Sequence, residues 1–268
     1  MQGSASGKKK PKIVTKPLLT GSTLDGTTAK RALRVAGSIL VTVFVYLVFG
    51  SLLIIENLFL RLLANGALVL MCGGLLYMSG ATQGEADAAF GEIIYQRNQE
   101  GKPVPDSERA RSFHPLKGLV TAFLGASPFV LLTLVSAATA QIATYSLGAL
   151  PGWLSVYQRQ GEIGSALSYY QASTAFGVLD IIQLASRLMI LPYISMAGAG
   201  NAAAVLVVQR LAPILVLLIP GGYALGYLRG KEMRARVHTS IAQSKRKKKS
   251  KDRKEQQRRQ QKGPEQLI

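Results

Sequence analysis

The chain has 268 residues, close to half of them hydrophobic, and a formal charge of +18. Charged residues enclose uncharged runs of 21 (35–55), 23 (62–84), 41 (118–158), 22 (188–209) and 18 residues (211–228). A membrane helix needs about 20 mostly apolar residues, so these blocks exclude an ordinary soluble domain and predict an all-α polytopic integral membrane protein.

Residues 1–34 carry eight Lys/Arg against one Asp and are rich in Gly, Ser and Thr. They read as a disordered basic cytoplasmic tail, with Lys8, Lys9 and Lys10 in its basic core. Ala29 to Arg34 opens a helix that continues into a first span at about 36–55. A second span, about 62–80, follows so closely that the two form a hairpin with Glu56 and Arg61 at its tip. Gly66, Ala67, Gly73 and Gly74 offer small surfaces for close helix approach, without the strict GxxxG spacing. Cys72, the single cysteine, excludes an intrachain disulfide framework and reads as packing.

Residues 81–116 form the one sizeable polar loop. Ala86, Ala89, Phe90, Ile93, Ile94 and Arg97 recur at helical spacing, which predicts an amphipathic helix on the cytoplasmic membrane surface. Glu85, Asp87 and Glu92 are expected to face water. Gly101, Pro103 and Pro105 end that helix, and Asp106 to Glu108 cap a short one beyond it. A third span at about 118–143 holds Pro128. Tyr145, Trp153, Tyr157, Tyr169 and Tyr170 then mark a membrane boundary, in a loop without positive bias that suits the outer side. The last span is about 207–228, with Arg210 near its start. Residues 230–268 are a solvated, partly helical basic tail around Lys245, Arg246, Lys247, Lys248 and Lys249.

Between these lies 174–197, apolar yet carrying Asp180 and Arg187. Residues 1–34 have a net charge of +7 and residues 229–268 of +11, while the middle is neutral. Lys/Arg-rich flanks stay in the cytoplasm, so both ends lie inside and the crossings are even in number. Four spans satisfy this if 174–197 does not cross. Ser173, Gly177, Asp180, Gln183 and Arg187 then form one polar stripe on an interfacial or re-entrant helix, with Asp180 and Arg187 about 10 Å apart in rise. Gln141 and Arg210 complete the intramembrane polar set.

Catalytic motifs are lacking. His114 and His238 have no metal-ligand spacing, and no nucleophile elbow, P-loop or dinucleotide fingerprint occurs. The expectation is a non-enzymatic multi-pass protein of a bacterial cytoplasmic membrane, without cofactor or metal. Its basic tails contact anionic lipid headgroups of the bilayer or an acidic partner. The alternative is a transporter-like or insertase-like protein that uses the stripe Asp180, Gln183, Arg187 and Arg210, with a tail that contacts RNA or the ribosome.

Overall fold

A computed structural model describes residues 15–50, 55–141, 152–154, 156–167, 177–198 and 201–261. Among these residues every regular element is helical: α1 (Thr28–Gly50), α2 (Leu58–Gln99), α3 (Asp106–Arg111), α4 (Lys117–Thr139), α5 (Gly161–Ala166), α6 (Val178–Met189), α7 (Leu191–Ala197), α8 (Ala202–Arg210) and α9 (Ala212–Gln261). Four of them, α1, α2, α4 and α9, are long and apolar enough to cross a bilayer. Their large side chains point outward: Leu40, Phe44, Leu70, Leu75, Leu131 and Leu218 are all exposed. In water so much exposed apolar surface would drive aggregation, whereas lipid solvates it. The chain is an all-α polytopic membrane protein.

Element boundaries follow local chemistry. Asp25 accepts hydrogen bonds from the Thr27 amide and from the Thr27 and Thr28 hydroxyls, which sets the start of α1 at Thr28. Asn57 caps α2 by accepting from the Phe59 and Leu60 amides at 3.0 and 3.2 Å. Gly101 takes φ 71° just past the end of α2, as expected for a helix stop. Pro128 lies inside α4. The expected last span from 207 is interrupted. α8 ends at Arg210, and α9 begins afresh at Ala212 with Pro213 in its first turn, where a missing N–H costs nothing.

Two compact units form. The first contains Met1–Arg31, Leu75–Ala122 and Gly222–Ile268; the second contains Ala32–Gly74 and Phe123–Gly221. In the first, α2 and α9 touch backbone to backbone through two GxxxG pairs, Gly80/Gly84 and Gly226/Gly230. A Cβ at Gly226 would sit 2.0 Å from the Tyr77 carbonyl oxygen, and one at Gly84 would sit 2.4 Å from that of Tyr227. The glycines expected to mediate close approach do not: Gly73 and Gly74 have open space, and Gly66 meets only Met196 at 3.9 Å.

Three sequence expectations change in this unit. The amphipathic segment is no separate surface helix, because α2 runs unbroken from Leu58 to Gln99. Its acids do not all face water: Asp87 and Glu92 are buried, whereas Ala86 and Ile93 are exposed. Residues 15–27 of the N-terminal tail pack as a strap. The Leu19 amide donates to Gly91 and the Gly21 amide to Phe113, at 3.2 and 3.0 Å. Leu18 covers a core of Ala88, Phe113 and Tyr227.

In the second unit, α6 and α7 meet at a 78° bend. Pro192, in the first turn of α7, lacks the N–H that a continuing helix would use. The corner residue Ile190 is buried with Ala212 and Val216 among Phe129, Tyr193 and Val208. Residues 174–176 and 199–200 lie outside the described residues, and the bent pair has the form either of a broken fifth span or of the re-entrant helix expected for 174–197. Arg61 lies in the first turn of α2, just after the connection from α1. Its guanidinium lies over Gly198, the left-handed residue that ends α7, while Glu56 is exposed.

The glycine contacts yield a paired prediction. Gly226→Ala forces a Cβ into the α2 backbone and should cost about 1–3 kcal/mol, the usual penalty for overpacking. Gly73→Ala, facing open space, should be neutral or slightly stabilising. Thermal unfolding of the two variants in detergent measures the difference.

Candidate functional site

The charged residues of the first unit are organised around three buried carboxylates. Asp87, on α2, receives both terminal nitrogens of Arg31 from α1, at 2.6 and 2.9 Å. The Tyr227 hydroxyl of α9 donates to the same carboxylate at 2.6 Å, and Gln83 donates at 3.3 Å. The Arg31 and Asp87 side chains are 11% and 6% exposed. A bidentate fork with a further hydroxyl satisfies most of the carboxylate lone pairs, which a buried charge requires. The Tyr227 ring is held in place by stacking on Phe113, centroids 5.3 Å apart. Gly118 leaves the room, since a Cβ there would lie 2.5 Å from that of Tyr227.

Asp25 and Lys117 form the second group, both side chains almost wholly buried, with Nζ 3.0 Å from Oδ2. Lys117 also donates to the carbonyls of Ala110 and Ser112 at 2.8 and 3.0 Å, so all three of its protons are used. Burial alone would raise the Asp25 pKa. Hydrogen bonds from Thr27, Lys117 and Thr28, together with the Lys117 charge, instead hold it down at about 2. This pair ties the N-terminal strap to the start of α4.

Glu92 is the third. His238 Nε2 lies 2.7 and 2.9 Å from its two oxygens, and Arg234 donates to it through Nε and a terminal nitrogen, each at 3.1 Å. Glu85 stands 4.0 Å from Arg234. The start of the C-terminal basic segment is therefore packed, contrary to the expectation of a wholly solvated tail, and Ala235 is buried beside these groups. Beyond it α9 continues as expected for a helical tail: Lys245, Arg246, Lys247, Lys248 and Lys249 are all exposed on a continuous helix. Lys8, Lys9 and Lys10 lie outside the described residues.

The stripe of the second unit does not converge on a site. Asp180 is three residues into α6 and accepts the Gly177 amide at 2.8 Å, half of a capping box. Arg187 is exposed in the last turn of α6, and Arg210 is exposed at the end of α8. Each charge thus has the sign that complements its own helix end. Gln183 reaches Thr139 on α4 at 3.4 Å. Ser173 lies outside the described residues, and Gln141 is exposed just beyond α4. His114 Nδ1 accepts the Leu116 amide at 3.3 Å, a local loop contact.

Sequence reasoning missed Asp25, Asp87, Glu92, Lys117 and Tyr227. A signal was present: Gly80, Gly84, Ala88 and Gly91 recur on one face of α2, and that face includes Asp87. Acids on a small-residue face are acids aimed at a close neighbour.

Two predictions test these assignments. Asp87→Leu leaves Arg31 buried without its counter-charge and should cost about 3–5 kcal/mol, with most of that loss recovered in Arg31→Met/Asp87→Leu. Asp180→Ala and Arg187→Gln, lying two turns apart, should have effects on thermal stability that add within about 0.5 kcal/mol. A double variant that undoes either single change would show the two charges to be coupled.

Comparison of the chain with models of protein families, with curated proteins and with solved structures finds no match.

Proposed function

We propose that the protein is a non-enzymatic membrane anchor that presents a cationic helical arm to anionic partners on the cytoplasmic side, where both termini lie. The observation that supports this most is the division of charge along α9. Arg234 and His238 are engaged by Glu92. From Gln243 to Gln261 the helix holds ten Lys/Arg against two acids and no apolar residue. The first unit thus fixes the base of the helix with its acids and leaves the excess charge beyond them. Its buried carboxylates already have basic partners, an arrangement suited to holding chain segments together.

A second reading, a transporter-like or insertase-like protein, finds support at a different place from the stripe. The hydroxyls of Ser186 and Tyr193, on either side of the α6–α7 bend, are buried without hydrogen-bond partners among the described residues, as is that of Tyr46. Broken helices with polar groups at the break are a common way to build a substrate site in a membrane.

Reporter fusions at residue 10 and at residue 262 test the first reading. Both should report the cytoplasmic side, and an external C-terminal reporter overturns the proposal. Truncation after Gln243 should leave membrane accumulation near that of the full chain and abolish retention on a heparin matrix at physiological salt. Equal retention of the truncated form would also overturn it.

A further inference from the structure

We infer that the partner of the C-terminal arm is a structured RNA, gripped through its phosphates on several sides of the helix. This rests on the reading of residues 243–261 as a cation-presenting arm and names its occupant. Three features of α9 separate RNA from the lipid leaflet and from an acidic protein.

Distance is the first. α9 is unbroken between Leu228, the last residue of its apolar run, and Gln261. A helix that leaves the bilayer without a break continues along its own axis. At a rise of 1.5 Å per residue, Lys245 stands about 25 Å beyond Leu228 and Gln261 about 50 Å. The usual tilt of roughly 20° shortens these heights by less than a tenth. The leaflet's potential decays over a Debye length of about 8 Å. Lys245 to Lys249 therefore stand beyond its reach.

Composition is the second. An interfacial helix inserts an apolar face, and a protein–protein interface has an apolar or aromatic centre. Residues 243–261 have no apolar side chain at all. Nothing there supports either contact, whereas phosphate recognition needs only cations and amide donors.

The third is the distribution around the helix. Residues 245–249 are five consecutive cations, and at about 100° per residue they surround the axis. All the described side chains from 243 to 257 are exposed. A flat anionic surface meets one side of such a cylinder, while the groove of a folded RNA places phosphates on both walls. Lys245/Lys249, Lys247/Lys251 and Lys249/Arg253 are like-charge pairs at i, i+4, which weaken a free helix. Phosphates lying between them relieve that repulsion. The arm has no aromatic residue for base stacking, so binding follows shape and phosphate spacing and is indifferent to base sequence.

The test uses the full chain in nanodiscs of neutral lipid. The probes are a fluorescein-labelled RNA hairpin, vesicles containing an anionic lipid, and polyglutamate. The hairpin should bind with an affinity that falls linearly with salt on logarithmic axes. The combined substitution K245Q, R246Q, K247Q, K248Q and K249Q, which retains good helix formers, should reduce that slope by about four and weaken binding at least tenfold. Circular dichroism and size exclusion check that the variant keeps its fold. A second hairpin of unrelated sequence should bind alike, and vesicles and polyglutamate should bind far more weakly. Vesicles or polyglutamate bound as tightly as the hairpin would overturn the RNA assignment and leave the arm reading standing. No binding to any of the three would overturn both.

Discussion

Asp87 is a carboxylate on the helix that continues the second span, placed where neither lipid nor water solvates it. A charge so placed persists only if its neighbours supply what water would have supplied. Arg31 and Tyr227 do so, and they come from the start of α1 and from α9. Three remote stretches of chain are thereby held at one point with their helical register set, because a fork and a hydroxyl tolerate little displacement. The glycine pairs make this geometry attainable. With any Cβ at Gly84 or Gly226, α2 and α9 would stand too far apart, and the Tyr227 hydroxyl could not reach its acceptor. Close approach and buried charge are therefore one constraint seen from two sides.

The same logic governs the other two acids. Asp25 draws the N-terminal strap onto Lys117, and Glu92 draws the base of the C-terminal basic segment inward through Arg234 and His238. Around these pairs the unit packs a cluster of Ala88, Phe113 and Tyr227. Specific pairing packs residues 15–27 and the base of the C-terminal basic segment onto this unit, and a residue count of apolar groups does not reveal it.

The membrane architecture was legible because it depends on length and mean hydropathy, both of which are local. The span at 62–80 falls within α2, those at 36–55 and 118–143 coincide with α1 as far as Gly50 and with α4 as far as Thr139, and the helix stop at Gly101 and short helix at Asp106 follow from turn chemistry. What was not legible was pairing between distant segments. Read alone, residues 85–99 have a plausible apolar face, and the acids opposite it look solvated. Only the approach of α9 and the strap reverses that assignment and turns Asp87 and Glu92 inward. Asp180 and Arg187 share α6 at the spacing expected of a stripe, and the bend at Ile190 ends that helix so that Asp180 lies in its first turn and Arg187 in its last. Charges that look costly in mid-span become ordinary complements of a helix dipole.

Continuity of the helix, more than the number of its charges, determines what the basic C-terminus can do. A flexible tail with the same Lys and Arg would collapse onto the nearest anionic surface, which is the membrane it leaves. A helix extending from the bilayer carries its charges away from that surface, at a cost in self-repulsion that grows with every added lysine. Fixing its base through Glu92 keeps that extension from bending back. The pairing of acids near the membrane and the exposure of cations far from it thus belong to one design. The first fixes the base of the arm, and on the proposed reading an arm so fixed meets a partner from solution in preference to the lipid below.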